Sequence, residues 1–182
     1  MKYAVIGTSC SGKTTLVYNV VGQLRKEGYH IEGVVSGDRS YTFNPELLDT
    51  SNIAQSYVIL QQAFLETKYS VRTDVNIILS DRSLIDFFAY YSYYIADKDI
   101  YYDIMNHLAF EWCKTYDCIF YVSPLPWVDD TKRPPDSERM AVDFILQSYI
   151  GTISNIVRVP DNNREEFVIN KIKDDEKKTI HN

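Results

Sequence analysis

The sequence predicts an α/β fold, a three-layer sandwich built on a five-stranded parallel sheet, and three observations carry that prediction. Short apolar runs alternate with longer segments of helical periodicity, the pattern of βαβ units. The chain has 182 residues and is 45% hydrophobic, which suits one domain (1–182) with a substantial core. The first apolar run, Tyr3 to Ile6, passes directly into a loop of small residues and then into a helical pattern.

The elements follow in order. Strands are predicted at Tyr3–Ile6, Ile31–Val35, Val75–Leu79, Cys118–Val122 and Ile156–Val159, each a short apolar run. The first helix begins near Lys13 and ends at Gly28, a C-cap following Arg25, Lys26 and Glu27. Further helices are predicted over Pro45–Lys68, Leu84–Ala96, Ile100–Tyr116, Ser137–Ile150 and Arg164–Lys173. The stretch SPLPWVDDTKRPPDSER carries four prolines and mixed charge, and reads as a long exposed loop leading into a helix. We assign a lid to about 125–139 and a solvated, fraying charged tail to about 173–182.

Composition narrows the function. A net charge of −6 opposes broad binding to nucleic-acid backbones, which requires clustered Lys and Arg, so any anionic ligand needs a local site. Cys10, Cys113 and Cys118 form no metal-ligand pattern, and any disulfide would leave one thiol over; a reducing, cytoplasmic setting is expected. The run LIDFFAYYSYYIA is broken by Asp86 and is too short for a membrane span, and Tyr3–Ile6 is too short for a signal-peptide core.

Gly7-Thr8-Ser9-Cys10-Ser11-Gly12-Lys13-Thr14 matches G-x-x-x-x-G-K-[ST] between a predicted strand and a predicted helix. Gly7 and Gly12 permit the backbone turns that aim successive amides, those of Ser9, Cys10 and Ser11 among them, at phosphate oxygens. The helix that opens with Lys13, Thr14 and Thr15 adds the positive end of its dipole. Lys13 is expected to reach the β- and γ-phosphates of a bound nucleotide, and the Thr14 hydroxyl to ligate Mg²⁺. The small size of Cys10 matters more there than its thiol, because no His partner lies near it in sequence.

Asp81 and Arg82 end the third strand, at the sheet edge that faces ligands in folds of this type. The carboxylate suits Mg²⁺ or an acceptor hydroxyl, and the arginine suits a phosphate. Lys132, Arg133 and Arg139 are cations on or beside the lid that can neutralise charge developing in phosphoryl transfer, although Asp129, Asp130, Asp136 and Glu138 nearly balance them. Asp38 and Arg39 follow the second strand at the same edge and read equally as acceptor contacts or as a turn. In the tyrosine-rich run, Leu84, Phe87, Phe88, Tyr91 and Ile95 form a helical apolar stripe and belong mostly to the core, leaving base stacking to a single tyrosine at most. Gln61 or Gln62 is placed either against a base edge or in solvent.

With GTSCSGKTT, IAQSYVILQQAFLE, SDRSLIDFFAY, PLPWVDDTKRPPDSER and VPDNNREEFVINKI in place, the chain resembles the small P-loop kinases of the nucleoside and nucleotide kinase superfamily over nearly its whole length. It is most similar to the compact branch holding nicotinamide riboside kinase-like ATPases and phage deoxynucleotide kinases. The resemblance implies an Mg²⁺-ATP donor, an acceptor between the second-strand edge and the third-strand Asp-Arg pair, and lid arginines over the phosphates. Those roles fall on Asp38, Asp81, Arg82, Arg133 and Arg139, with Pro160 to Arg164 flanking the adenine. Two departures concern the acceptor: Asp130-Thr131-Lys132-Arg133 lacks the glycine of the related lid, and Gly37-Asp38 stands where deoxynucleoside kinases carry Glu.

The leading reading is transfer of the ATP γ-phosphoryl group to a nucleoside or nucleoside monophosphate, a small-molecule substrate, in a protein of possible homodimeric state. Against it stand a nucleotide-dependent ATPase or switch without such an acceptor, and a kinase acting on a polynucleotide end, which the acidic balance disfavours. A GTPase is disfavoured because Asn170-Lys171-Ile172-Lys173 lacks the final Asp of the guanine-reading motif.

Overall fold

A computed structural model describes residues 1–35, 51–96, 98–127 and 135–180. Five parallel strands, β1 (Lys2–Ile6), β2 (Ile31–Val35), β3 (Ile77–Asp81), β4 (Cys118–Tyr121) and β5 (Ile156–Arg158), form one sheet in the order β2-β3-β1-β4-β5. The described helices are α1 (Lys13–Lys26), α2 (Asn52–Ser70), α3 (Leu84–Tyr94), α4 (Ile100–Cys113), α5 (Asp136–Ile150) and α6 (Arg164–Ile180).

Period-two alternation along the strands builds the layers. Tyr3 and Val5 of β1 and Phe120 of β4 pack with Leu16, Val20 and Leu24 of α1 and Val168 and Ile172 of α6. Ala4 and Ile6, with Ile119 and Tyr121, face a second core made by α2 to α5 that includes Ile59, Phe88, Ala109 and Leu146. Both faces are thus covered, as an all-parallel sheet requires.

Local signals set most boundaries. Gly28 adopts φ 92, Tyr29 N–H bonds to the Leu24 carbonyl and Gly28 N–H to that of Arg25, both at 3.0 Å, so α1 closes in a Schellman turn where the sequence placed its cap. Asp99 Oδ1 accepts from the amides of Tyr101 and Tyr102 and starts α4.

Boundaries differ from expectation at β3 and at the end of α6. β3 begins and ends two residues later than the predicted Val75–Leu79, because it is paired on both sides and its polar end stays in the ladder, Asp81 lying in register with both Val5 and Val35. The second predicted helix is seen from Asn52; residues 45–50 lie outside the described set. The charged tail does not fray from position 173: α6 continues to Ile180, held by ion pairs of Lys173 with Glu27 and of Lys171 with Asp175 at 2.6 Å. Of the assigned lid, 135–139 is the entry to α5, and 128–134 lies outside the described residues.

Candidate functional site

The strand order reverses around β1, and the loops at the carboxyl ends of β1 and β3 open into the resulting crevice. The loop after β1 bends as its glycines require. Gly7 has φ 149, and a Cβ there would stand 2.5 Å from the Val122 carbonyl oxygen; Gly12 has φ 83. Cys10 at φ 59 is a non-glycine residue in the left-handed region, so its place in the loop is a matter of backbone shape. Gly12 then leads into α1, whose first-turn amides open toward the same loop.

Lys13 is buried and folded back on its own loop. Its Nζ donates to the carbonyls of Gly7 at 2.6 Å and Thr8 at 2.5 Å, and to Ser11 Oγ at 3.2 Å. Burial lowers its pKa to about 8, Arg82 adds to the lowering, and Asp86 and Asp81 oppose it. Thr14 and Thr15 lie on the exposed side of the first turn. The Thr14 hydroxyl donates to Asp81 Oδ2 at 2.5 Å across the crevice, while Asp81 Oδ1 is buried with no partner among the described residues. A buried carboxylate oxygen with spare acceptor capacity beside a threonine hydroxyl is the hard-oxygen donor set that Mg²⁺ takes when phosphates complete its shell.

Arg82 follows Asp81 with φ 78, its amide bonded to the Val5 carbonyl at 2.9 Å. That left-handed step turns its side chain onto Asp86, 3.3 Å away and fully buried. Burial works against the guanidinium charge, and Asp86, Tyr90 and Asp81 together more than offset it, leaving the Arg82 pKa above its ordinary value. Burial likewise raises the carboxyl pKa of Asp86, opposed by Arg82 and Lys13. Asp86 is the main residue that sequence reasoning missed here. It stands out only as a charge interrupting an apolar run, and its spacing of i, i+4 from Arg82 was the signal available.

Arg139 is 3% exposed and committed to its neighbours: Nη1 donates to the Leu125 carbonyl at 2.8 Å, and Nε and Nη2 donate to Asp136 Oδ1. Leu125 N–H in turn bonds to the Cys10 carbonyl at 3.3 Å, so Arg139 reaches the phosphate loop through a backbone link and not with a free charge. Arg164 touches the loop directly, donating to the Ser11 carbonyl at 2.8 Å and also to Ser123 O and Asp161 Oδ1. Pro160 is exposed at the start of that turn. A groove of about 970 Å³ opens between α1 and α6, with Tyr18, Gln23, Asp161, Asn163 and Arg164 among its walls. Asp38, Arg39, Lys132 and Arg133 lie outside the described residues.

Gln62 is buried, not solvent-facing, and its Nε2 donates to Glu66 Oε1 at 2.8 Å and to the Arg82 carbonyl at 3.4 Å. Glu66, also fully buried, accepts from Trp112 Nε1 and Tyr116 OH at 2.7 Å and pairs with Lys2 Nζ at 3.0 Å. Lys2 begins β1 and the phosphate loop follows its last residue, so the Lys2 end of this network lies away from the loop, while Gln62 links it to Arg82. The predicted apolar stripe on α3 is core as expected at Leu84, Phe88, Tyr91 and Ile95, with Phe87 partly buried against it. Among the described residues, no helix is long and apolar enough to cross a membrane.

Solved structures share this architecture. The NadR protein in complex with NR superposes with a TM-score of 0.72 at 16% identity, covering 95% of this chain and 50% of that one. NadR in complex with NAD and AMP-PNP gives the same score and identity, with 48% of its length covered. This chain therefore spans about half the length of those proteins. Deoxyadenosine kinase from M. mycoides with bound dATP gives 0.67 at 15% identity over 95% of this chain and 100% of that one. Thymidylate kinase from Ehrlichia chaffeensis gives 0.64 at 15%, over 94% and 98%. The fold is that of the P-loop nucleoside and nucleotide kinase-like proteins. No curated protein matches the sequence. Residues 2–166 match the AAA domain family AAA_28, and over so much of its length the chain belongs to that family.

Proposed function

We propose that this protein is a phosphotransferase that moves the γ-phosphoryl group of ATP to a small nucleoside or (deoxy)nucleoside monophosphate. The observation that carries the reading is the meeting of Thr14 Oγ1 and Asp81 Oδ2 at 2.5 Å, beside the unpartnered Asp81 Oδ1 and within the field of Lys13 and Arg82. That nucleotides are bound by the structural neighbours, AMP-PNP in one and dATP in another, supports ATP as the donor.

In this reading the amides from Ser9 to Thr15 bind the donor phosphates, and Lys13 leaves the Gly7 and Thr8 carbonyls to meet them. Thr14 and Asp81 would hold Mg²⁺, which when bound neutralises phosphate charge. Asp86 holds Arg82 toward the transferring group. Arg164 braces the Ser11 carbonyl and the adenine side, next to Pro160, while Arg139 keeps Leu125 on the loop. Asp38 and Arg133 are proposed on sequence alone, as acceptor contact and lid cation.

The AAA-domain family match favours one second reading, an ATPase or switch with no small acceptor. Transfer of labelled γ-phosphoryl from ATP to separate pools of deoxynucleosides, nucleoside monophosphates and nicotinamide riboside separates the two. The kinase reading expects a labelled acceptor from one pool; label appearing only as inorganic phosphate favours the ATPase.

A further inference from the structure

Tyr90 belongs to the tyrosine-rich stretch, yet nothing in the proposed reaction uses it. Its neighbours Ala89 and Tyr91 are core, whereas Tyr90 is half-buried and its hydroxyl accepts a hydrogen bond from Ser9 N–H at 2.9 Å. The Arg82 guanidinium lies 5.3 Å from the ring centroid, and Tyr94 stacks on the ring at 6.3 Å with planes 27° apart. Tyr94 in turn donates its hydroxyl to Glu138 near the start of α5. The phenol is thus held on a phosphate-loop amide from more than one side.

Ser9 lies at the rim of the loop away from α1. The backbone amides of Gly12, Lys13 and Thr14, at the helix end, suit the inner phosphates of a nucleotide, which leaves the Ser9 amide, beside α3 and Arg82, for the outermost phosphoryl group. A second feature of the same rim points to a ligand: Ser9 Oγ is buried and has no partner among the described residues. The phenol oxygen therefore stands where a phosphate oxygen would stand, and one N–H cannot serve both acceptors at full strength.

We propose that Tyr90 competes with the terminal phosphoryl group of a nucleoside triphosphate for the Ser9 amide, so that a triphosphate must expel its hydroxyl while a diphosphate leaves it in place. This rests on the reading of the loop as an ATP site. Tyr90 thereby narrows the preference of the resting protein for ATP over ADP, and its release is felt at Tyr94 and Glu138.

Tyr90→Phe keeps the ring and removes only the oxygen. Titration calorimetry with Mg²⁺ and either AMP-PNP or ADP, on wild type and variant, reads the effect. The dissociation constant for AMP-PNP should fall about two- to tenfold, the size of one neutral hydrogen bond, with that for ADP unchanged. Unchanged or weaker AMP-PNP binding overturns the proposal, as does equal tightening toward ADP. If the wild type binds neither nucleotide, the ATP-site reading falls and this one with it. If the wild type binds both and the variant matches it, only the role of Tyr90 falls. Should the variant not fold, 3-fluorotyrosine at position 90 of the otherwise native protein gives the same decision by NMR: its resonance must move with AMP-PNP and not with ADP, and any other pattern overturns the proposal.

Discussion

Thr14, in the first turn of α1, and Asp81, the last residue of β3, stand 67 positions apart in the chain and meet through a 2.5 Å hydrogen bond from the threonine hydroxyl to Asp81 Oδ2. Parallel pairing of β1 with β3 creates the meeting, because it sets Val5 opposite Asp81 and so brings the phosphate loop and the acidic strand end to one edge. If that pair holds Mg²⁺ with ATP, Asp81→Asn and Thr14→Ala should each weaken Mg²⁺-dependent ATP binding by at least about tenfold, or 1.4 kcal/mol. Binding measured with Mg²⁺ and with EDTA checks this; the difference between the two conditions should shrink in both variants.

The pH dependence of ATP binding follows from Lys13. Only the ammonium form attracts phosphate, and burial lowers its pKa in the free protein to about 8. Bound phosphate favours the charged form, so the bound pKa is higher, and affinity is level below pH 8 and falls as pH rises above it. Calorimetry between pH 6.5 and 9.5 should show that alkaline limb, and Lys13→Ala should abolish it together with most of the binding.

Asp86 opposes the lowering of the Lys13 pKa, and it pairs with Arg82. Asp86→Asn should therefore move the alkaline limb below pH 8 and reduce turnover by leaving Arg82 unheld. A residue that merely filled space would lower stability without moving the limb, so the pH profile separates the two roles.

Glu66 offers a control outside the crevice, joined to the Arg82 carbonyl through the Gln62 amide. It is fully buried among Lys2, Gln62, Trp112 and Tyr116, and Glu66→Ala would leave Lys2 without its carboxylate. Breaking a buried pair on one side costs about 3–5 kcal/mol. Thermal melting should show a drop of roughly 10 °C for a chain of this size, while ATP affinity well below the melting range stays near that of the wild type.

The parts of this molecule that were legible in the sequence are those set by local physics. The phosphate loop is written in consecutive residues, Gly28 marks a helix end by itself, and the Leu84 to Ile95 stripe announces its own burial. What depends on distant partners was harder to read. Asp86 gains meaning only when α3 starts beneath the loop and Lys13 lies nearby, and Gln62 looks like a surface amide until Glu66, itself held by Trp112 and Lys2, accepts from it. Arg139 looked like a mobile cation because charge is visible in sequence, whereas its commitment to the Leu125 carbonyl and Asp136 is not. The length of α6 was underestimated for the same reason, since Glu27, which pairs with Lys173 midway along the helix, lies almost the whole chain away.

The most direct test of the central claim is the rate of ADP formation from Mg²⁺-ATP by the wild-type protein with and without each acceptor pool, with Lys13→Ala alongside. A phosphotransferase predicts that one pool raises the rate at least about tenfold over the acceptor-free background, a difference of 1.4 kcal/mol in the barrier, and that Lys13→Ala removes the rise. Equal rates in every pool, at a background that Lys13→Ala still abolishes, would contradict it and leave an ATPase without a small-molecule acceptor.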